Sequence, residues 1–184
     1  MKVLGVDPGS RLVGFGCLEA HGNRLRFLAS GVIDVRAECG LPKRLEGIYS
    51  GLLGVLDREL PDVMVLEEIF YGRNVQSLVR IGEGRGVALL AAATRHLEVV
   101  QYTPAMVKKA LTGRGGAHKA QVARMVERLL GIDGFPGGYD ASDALALAIC
   151  HVHRHSSPLA RLGVEPTRRR RARPRKEGSF LRPR

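Results

Sequence analysis

Residues 2–7, 12–20 and 24–34 read as three strands in succession, with only Pro8-Gly9-Ser10 and His21-Gly22-Asn23 between them. Apolar runs closed by such residues are strands joined by tight turns, so the chain is expected to open as an antiparallel meander. That opening limits everything after it, because later elements must pack on or extend a sheet already begun. The first run, Val3-Leu4-Gly5-Val6, ends in Asp7. A carboxylate at the end of a central strand sits on a rigid element and points into the space above the sheet. Asp-Pro-Gly is also ordinary turn chemistry. What Asp7 means therefore depends on whether other acids gather near it.

The hydrophobic period then changes. Leu41, Leu45, Ile48, Leu52, Val55, Leu56 and Leu60 follow helical spacing from a start near Pro42. Pro61-Asp62 ends that helix, and Val63-Met64-Val65-Leu66 reads as a buried strand that runs into Glu67-Glu68. Asn74 to His96 is expected to be helical despite Gly82, Gly84 and Gly86, which each cost roughly 1 kcal/mol against Ala. Close approach of another backbone or of a ligand would compensate. The Gly82–Gly86 stretch lacks the spacing and the strand–helix context of a dinucleotide fingerprint. A strand at 98–102, a short helix opened by Pro104, and a helix carrying Val122, Met125, Val126, Leu129 and Leu130 come next. The last helix runs from about Asp140 to His153. The predicted order, βββ-α-β-α-β-α-α-α, makes an α/β fold with a mixed sheet: three antiparallel strands, then parallel ones, with helices on both faces.

A chain of 184 residues, 45% hydrophobic, can bury one good core, so a single domain over residues 1–156 is expected. Charge divides the chain. The net is +11, of which residues 167–184 supply +8 from nine basic residues and one acid. Residues 157–184 are Arg- and Pro-rich and poor in apolar groups, the composition of a disordered basic tail. Such a tail grips phosphates without fixed geometry, or merely solubilises. Cys17, Cys39 and Cys150 are too scattered for a disulfide framework or a Cys-rich zinc site. The alternate spacing of His151, His153 and His155 scatters them around the circumference of a helix, which does not suit a zinc site. No apolar run is long enough to span a bilayer, and the N-terminus enters a strand directly, so a cytoplasmic protein with reduced thiols is expected.

Three acidic groups carry the chemistry. Asp140 and Asp143 share one face near the start of the last helix, where they also suit helix capping. Glu67 and Glu68 close the buried strand, and as strand neighbours they point to opposite faces, so only one can join Asp7. Combined, these groups lie where a mixed sheet places functional atoms. Converging carboxylates repel by about 4 kcal/mol per pair at 4 Å with an effective dielectric near 20, so a cluster needs a cation or raised pKa values. Hard oxygen donors without a Cys/His set suit Mg²⁺ or Mn²⁺ rather than zinc. Two such ions suit phosphodiester hydrolysis.

Four stretches in this order resemble the RuvC family of crossover junction endodeoxyribonucleases: Gly5-Val6-Asp7-Pro8-Gly9-Ser10-Arg11, Leu66-Glu67-Glu68-Ile69-Phe70, Lys108 through Gly113-Arg114-Gly115 to His118-Lys119, and Asp140-Ala141-Ser142-Asp143-Ala144-Leu145-Ala146. The resemblance spans about residues 1–155. It implies an RNase H-like fold and a homodimer that resolves four-way (Holliday) DNA junctions by paired, metal-dependent nicks, alongside a RuvA/RuvB branch-migration complex. It also implies that Asp7, Glu67, Asp140 and Asp143 bind Mg²⁺, two ions per site with Mn²⁺ as a substitute, that Phe70 contacts junction bases, and that Lys108 and Lys119 lie near the scissile phosphate. The family pattern selects Glu67 over Glu68.

Other candidate contacts come from residue type. Phe70, Tyr71 and Arg73 pair aromatics with a cation just beyond Glu67, which suits stacking on an unpaired base worth roughly 1–3 kcal/mol, or else a hydrophobic staple. Lys108, Lys109, Arg114 and Lys119 surround a Gly-rich loop and suit phosphate contact, or else form a solvated basic face. Three competing readings remain at this stage. One is a related RNase H-like nuclease that processes ribosomal RNA precursors. Another is an ATPase of the sugar-kinase or actin type, for which one domain of this length is too short. The third is a non-catalytic basic DNA-binding protein whose acids are only caps.

Overall fold

A computed structural model describes residues 1–22, 24–68 and 75–155, with backbone alone at 75–77. Its elements are β1 (Lys2–Pro8), β2 (Leu12–His21), β3 (Arg24–Asp34), α1 (Leu41–Glu59), β4 (Val63–Glu67), α2 (Val75–Thr94), β5 (Glu98–Tyr102), α3 (Pro104–Thr112), α4 (Lys119–Leu130) and α5 (Gly138–His155). The basic tail, with the expected boundary at 156, lies outside the described residues, as does the Phe70-Tyr71-Gly72-Arg73-Asn74 segment between β4 and α2. No helix among the described residues is long and apolar enough to cross a membrane.

The five strands lie in the order β3-β2-β1-β4-β5. β1–β2 and β2–β3 are antiparallel, as the short turns require, while β4 joins β1 and β5 joins β4 in parallel. The mixed sheet expected from the sequence is therefore observed. It is covered on both faces. Alternate residues of β1 and β4 divide between two cores: Val3, Val63 and Val65 pack with α3, α4 and α5, and Leu4, Val6, Met64 and Leu66 pack with α1 and α2.

α5 is the most buried helix, with every residue from Ala144 to Val152 buried. It lies flush on the sheet because the strands beneath it carry glycine where a side chain would collide. A Cβ on Gly5 would stand 1.8 Å from the Ala144 carbonyl oxygen, and one on Gly14 would stand 2.2 Å from that of Asp140. Gly16 would meet the Leu145 side chain at 2.5 Å. Gly5 pairs with Gly16, and Asp7 with Gly14, so the three glycines form one seat on adjacent strands. That seat sets the height of α5, and hence of the acids in its first two turns.

In α2 the three glycines have different surroundings. Gly84 is the close approach expected: its Cβ would lie 3.0 Å from the Gly9 carbonyl oxygen, so α2 presses on the β1–β2 turn. Gly82 and Gly86 meet nothing within 4 Å and face open space, with half-exposed Val79 and Leu90 on the same side of the helix.

Candidate functional site

Strand parity brings the first two acids together. Residues 3, 5 and 7 of β1 face α5, and so do 63, 65 and 67 of β4. Val6 is paired with Leu66 across the parallel ladder, which puts Asp7 and Glu67 side by side at the same end of the sheet and on the same face. Glu68 follows the last residue of β4 and donates its backbone N–H to the Tyr102 carbonyl at 2.8 Å. Its side chain acts on Arg85, on the α2 side. The adjacent acids thus part as alternation demands.

α5 supplies the other two. The helix starts at Gly138, two residues before the expected start, so Asp140 lies in the first turn rather than at the N-cap, and Asp143 one turn along. A purely capping role for the pair does not fit that start. Asp143 accepts an ion-paired hydrogen bond from Lys119 Nζ at 2.6 Å. Lys119 is the first residue of α4, whose start is fixed by His118 donating its N–H to the Gln121 side chain at 3.1 Å.

These groups act on one another electrostatically. The Asp7 carboxyl is pushed up to about 7, first by burial and then by the charges of Glu67, Asp143 and Asp140, against the opposing pull of Lys119. Burial also raises Glu67, with Asp143 adding to the effect and Lys119 and Lys108 opposing it. The pair with Asp143 holds the Lys119 ammonium above its usual range, and Asp7 and Asp140 reinforce that. Both acids are partly buried, and crowding like charges where water is scarce is what raises them.

Oxygen-only donors on three rigid elements fit a hard divalent ion in chemistry. Their present spacing is looser than a ligand set: among the described residues, no three His, Cys, Asp or Glu side chains stand close enough to hold an ion. A cation drawing on Asp143 competes with the Lys119 ammonium for it.

The basic residues divide. Lys108 and Lys119 act on the acid cluster. Lys109 and Arg114 are exposed and neither is among the groups acting on Asp7 or Glu67. Arg114 belongs to the loop after α3, where Thr112 Oγ1 donates to its carbonyl at 3.0 Å. Phe70, Tyr71 and Arg73 lie outside the described residues.

Sequence reasoning missed Arg85. From α2 its guanidinium donates to the Glu67 carbonyl and to Gln101 Oε1, both at 2.5 Å. It thereby ties the helix to the ends of β4 and β5. An arginine amid the glycines of a helix was the available signal, since a cation there needs an acceptor. The glycine seat beneath α5 was missed too, because a strand glycine acquires meaning only once the helix above it is known.

Comparisons with known proteins agree with this architecture. The sequence profile described as Crossover junction endodeoxyribonuclease RuvC matches residues 3–151. Proteins of that description from Bordetella petrii and Photobacterium profundum are 49% and 42% identical to this chain. The first match covers 89% of this chain and 88% of its relative, the second 91% and 96%. Among solved structures, T. thermophilus RuvC in complex with a Holliday junction substrate superposes with a TM-score of 0.79 at 33% identity, covering 89% of this chain and 96% of that one. The yeast mitochondrial Holliday junction resolvase Ydc2 shares the fold, with a TM-score of 0.56 at 15% identity over 82% of this chain and 78% of that one. This chain belongs to the RuvC family of crossover junction endodeoxyribonucleases, with their RNase H-like fold.

Proposed function

We propose that this protein is a structure-selective DNA endonuclease that resolves four-way (Holliday) junctions by paired symmetric nicks during recombination and repair. The observation that carries this reading is the convergence of Asp7 and Glu67 with the α5 acids and Lys119 at one end of the sheet, in a chain 42–49% identical to crossover junction endodeoxyribonucleases. Asp7, Glu67, Asp140 and Asp143 would hold Mg²⁺, two ions per site, with Mn²⁺ able to replace it. Held there, divalent ions would supply activation of a water and charge for the leaving oxygen of a phosphodiester.

The chain's own groups position and screen. Asp7 and Glu67, fixed by strand ends, set where the scissile phosphate meets the nucleophile. Lys119 places a positive charge where the phosphoryl oxygens gain negative charge, and the charge of Lys108, which acts on Glu67, adds to it. The products are a 5′-phosphate and a 3′-hydroxyl, which a ligase can rejoin. Phe70, Tyr71, Arg73, Lys109 and Arg114 extend the DNA contact beyond the cleavage centre. Two symmetric nicks need two sites, so the working form is a homodimer acting in the cytoplasm with a RuvA/RuvB branch-migration complex. The open side of α2, with Val79, Gly82, Gly86 and Leu90, suits the subunit contact.

The test is a mobile four-way junction with products mapped to the nucleotide. Asp7→Asn keeps junction affinity within about twofold and yields no nicks in Mg²⁺, because an amide cannot supply the anionic ligand. Full cleavage by that variant would defeat the assignment. Preferential cutting of a folded RNA favours the ribosomal-RNA nuclease reading instead, and binding without scission favours the basic DNA-binding protein.

A further inference from the structure

A cavity of about 170 Å³ opens beside the β1–β2 turn, on the α1/α2 side of the sheet. Ser10 and Arg11 of the turn, Arg44 and Ile48 of α1, and Arg80 and Glu83 of α2 line it. We propose that this cavity is a second phosphate site, which holds a backbone phosphate of the DNA other than the one cleaved. The inference rests on the nuclease reading and adds to it a defined subsite.

Three arginines and one glutamate are among its lining residues, a local formal charge of +2 that suits a singly charged phosphodiester. Among the described residues none of the three arginines has an ion-pair partner, although six ion pairs of Lys or Arg form elsewhere. Arg44 gives the sharper sign. Its Nε is buried and makes no hydrogen bond. A buried donor without an acceptor costs about 1–3 kcal/mol, and more when the group is charged. A phosphate in the cavity that draws the guanidinium a short way toward it gives Nε the acceptor it lacks, and the planar fork of arginine suits this better than a lysine does.

The cavity is also built rather than incidental. Gly84 lets α2 press against the turn, with a Cβ there only 3.0 Å from the Gly9 carbonyl and 3.9 Å from Ile48 Cδ1. The walls are therefore held by packed backbone before a ligand arrives, which lowers the ordering cost of binding. The space equals that of several water molecules, enough for a phosphate group with part of its hydration. Asp7 points to the α5 face and the cavity opens on the other. Since Ser10 stands only three residues beyond Asp7, both sites belong to the same end of the sheet. A strand cut at Asp7 can continue around the turn into the arginines.

The experiment measures junction binding by fluorescence anisotropy in Ca²⁺ across a range of salt, using the full chain and single variants, with cleavage in Mg²⁺ followed separately. Arg44→Gln and Arg80→Gln are expected to weaken binding several-fold at moderate salt. Each should also flatten the slope of log affinity against log salt by about 0.9, the value of one lost phosphate contact. Arg26→Gln, at the far end of the sheet, leaves the slope unchanged if the effect is local. Glu83→Gln tightens binding, and this second variant keeps the test valid should an arginine variant fold poorly. Equal slopes for wild type, Arg44→Gln and Arg80→Gln overturn the inference while leaving the cleavage reading intact. An equal loss in Arg26→Gln overturns it as well, since the effect is then the general field of a basic protein. A wild type that binds no DNA overturns both.

Discussion

Asp143 and His151 lie two turns apart on α5 in opposite circumstances. Asp143 is engaged by a cation, and its neighbours Asp7 and Glu67 resist ionisation, so that end of the helix is poised for a further positive charge. His151 is 2% exposed and resists gaining a charge at all. Burial, helped by His155, lowers it from the usual 6.5 to about 4, and its Nδ1 lies 3.0 Å from the Tyr102 hydroxyl, which donates to it in the Nε2–H tautomer. The folded pKa lies below the unfolded one. The stability gained by keeping His151 neutral is therefore complete above pH 6.5 and lost as pH falls toward 4, on the order of 3 kcal/mol in full. Urea titrations from pH 7 to 4 check this. His151→Gln, which keeps an acceptor for Tyr102, is expected to lose less stability over that range than the wild type does. An identical acid limb in both proteins places the loss in other groups.

At the scale of elements, two features of the site were legible in the sequence and two were not. The acids at the ends of β1 and β4 could be read because a strand's period is two and an apolar run declares its own end. That Glu67 and Glu68 must part could be read for the same reason. The height of α5 above the sheet could not. It depends on Gly5, Gly14 and Gly16, which in the sequence are only weak points in strands and become a seat when α5 covers them. The start of α5 was misplaced by two residues because glycines at 137 and 138 look like a loop, although Gly138 already belongs to the helix. Gly5→Ala tests the seat. Its Cβ would meet the Ala144 carbonyl oxygen and, at 3.1 Å, the Ala148 nitrogen, both backbone atoms that move only with the helix. A loss of about 3 kcal/mol is expected from that overpacking. Cleavage should fall further than the folded fraction does, because Asp140 and Asp143 shift with α5. Full activity per folded molecule in Gly5→Ala would show that the seat sets stability alone.

For the whole molecule, charge and symmetry pull in different directions. A net charge of +11 keeps copies apart while drawing them to DNA, so the subunit contact proposed above would have to come from a surface that is nearly uncharged. The open side of α2 fits. Val79 and Leu90 are 54% and 55% exposed, and Gly82 and Gly86 between them leave room for another backbone to approach. The buried side of the same helix carries Gly84, Ala88, Ala91 and Ala92 against the sheet, and Arg85 grips the ends of β4 and β5. A partner on α2 would thus lean on the same helix that borders both the acid cluster and the arginine cavity. Leu90→Arg separates these roles, because a half-exposed leucine can be replaced at a cost of only a few tenths of a kcal/mol to the monomer fold. The wild type is expected to sediment as a dimer, and the variant as a monomer at the same concentration. On a supercoiled plasmid carrying an extruded cruciform, the dimer gives linear product by paired nicks within one encounter. The monomer gives nicked circles, since relaxation after the first nick removes the cruciform before a second molecule arrives. Linear product from a Leu90→Arg protein shown to be monomeric would move the subunit contact off α2.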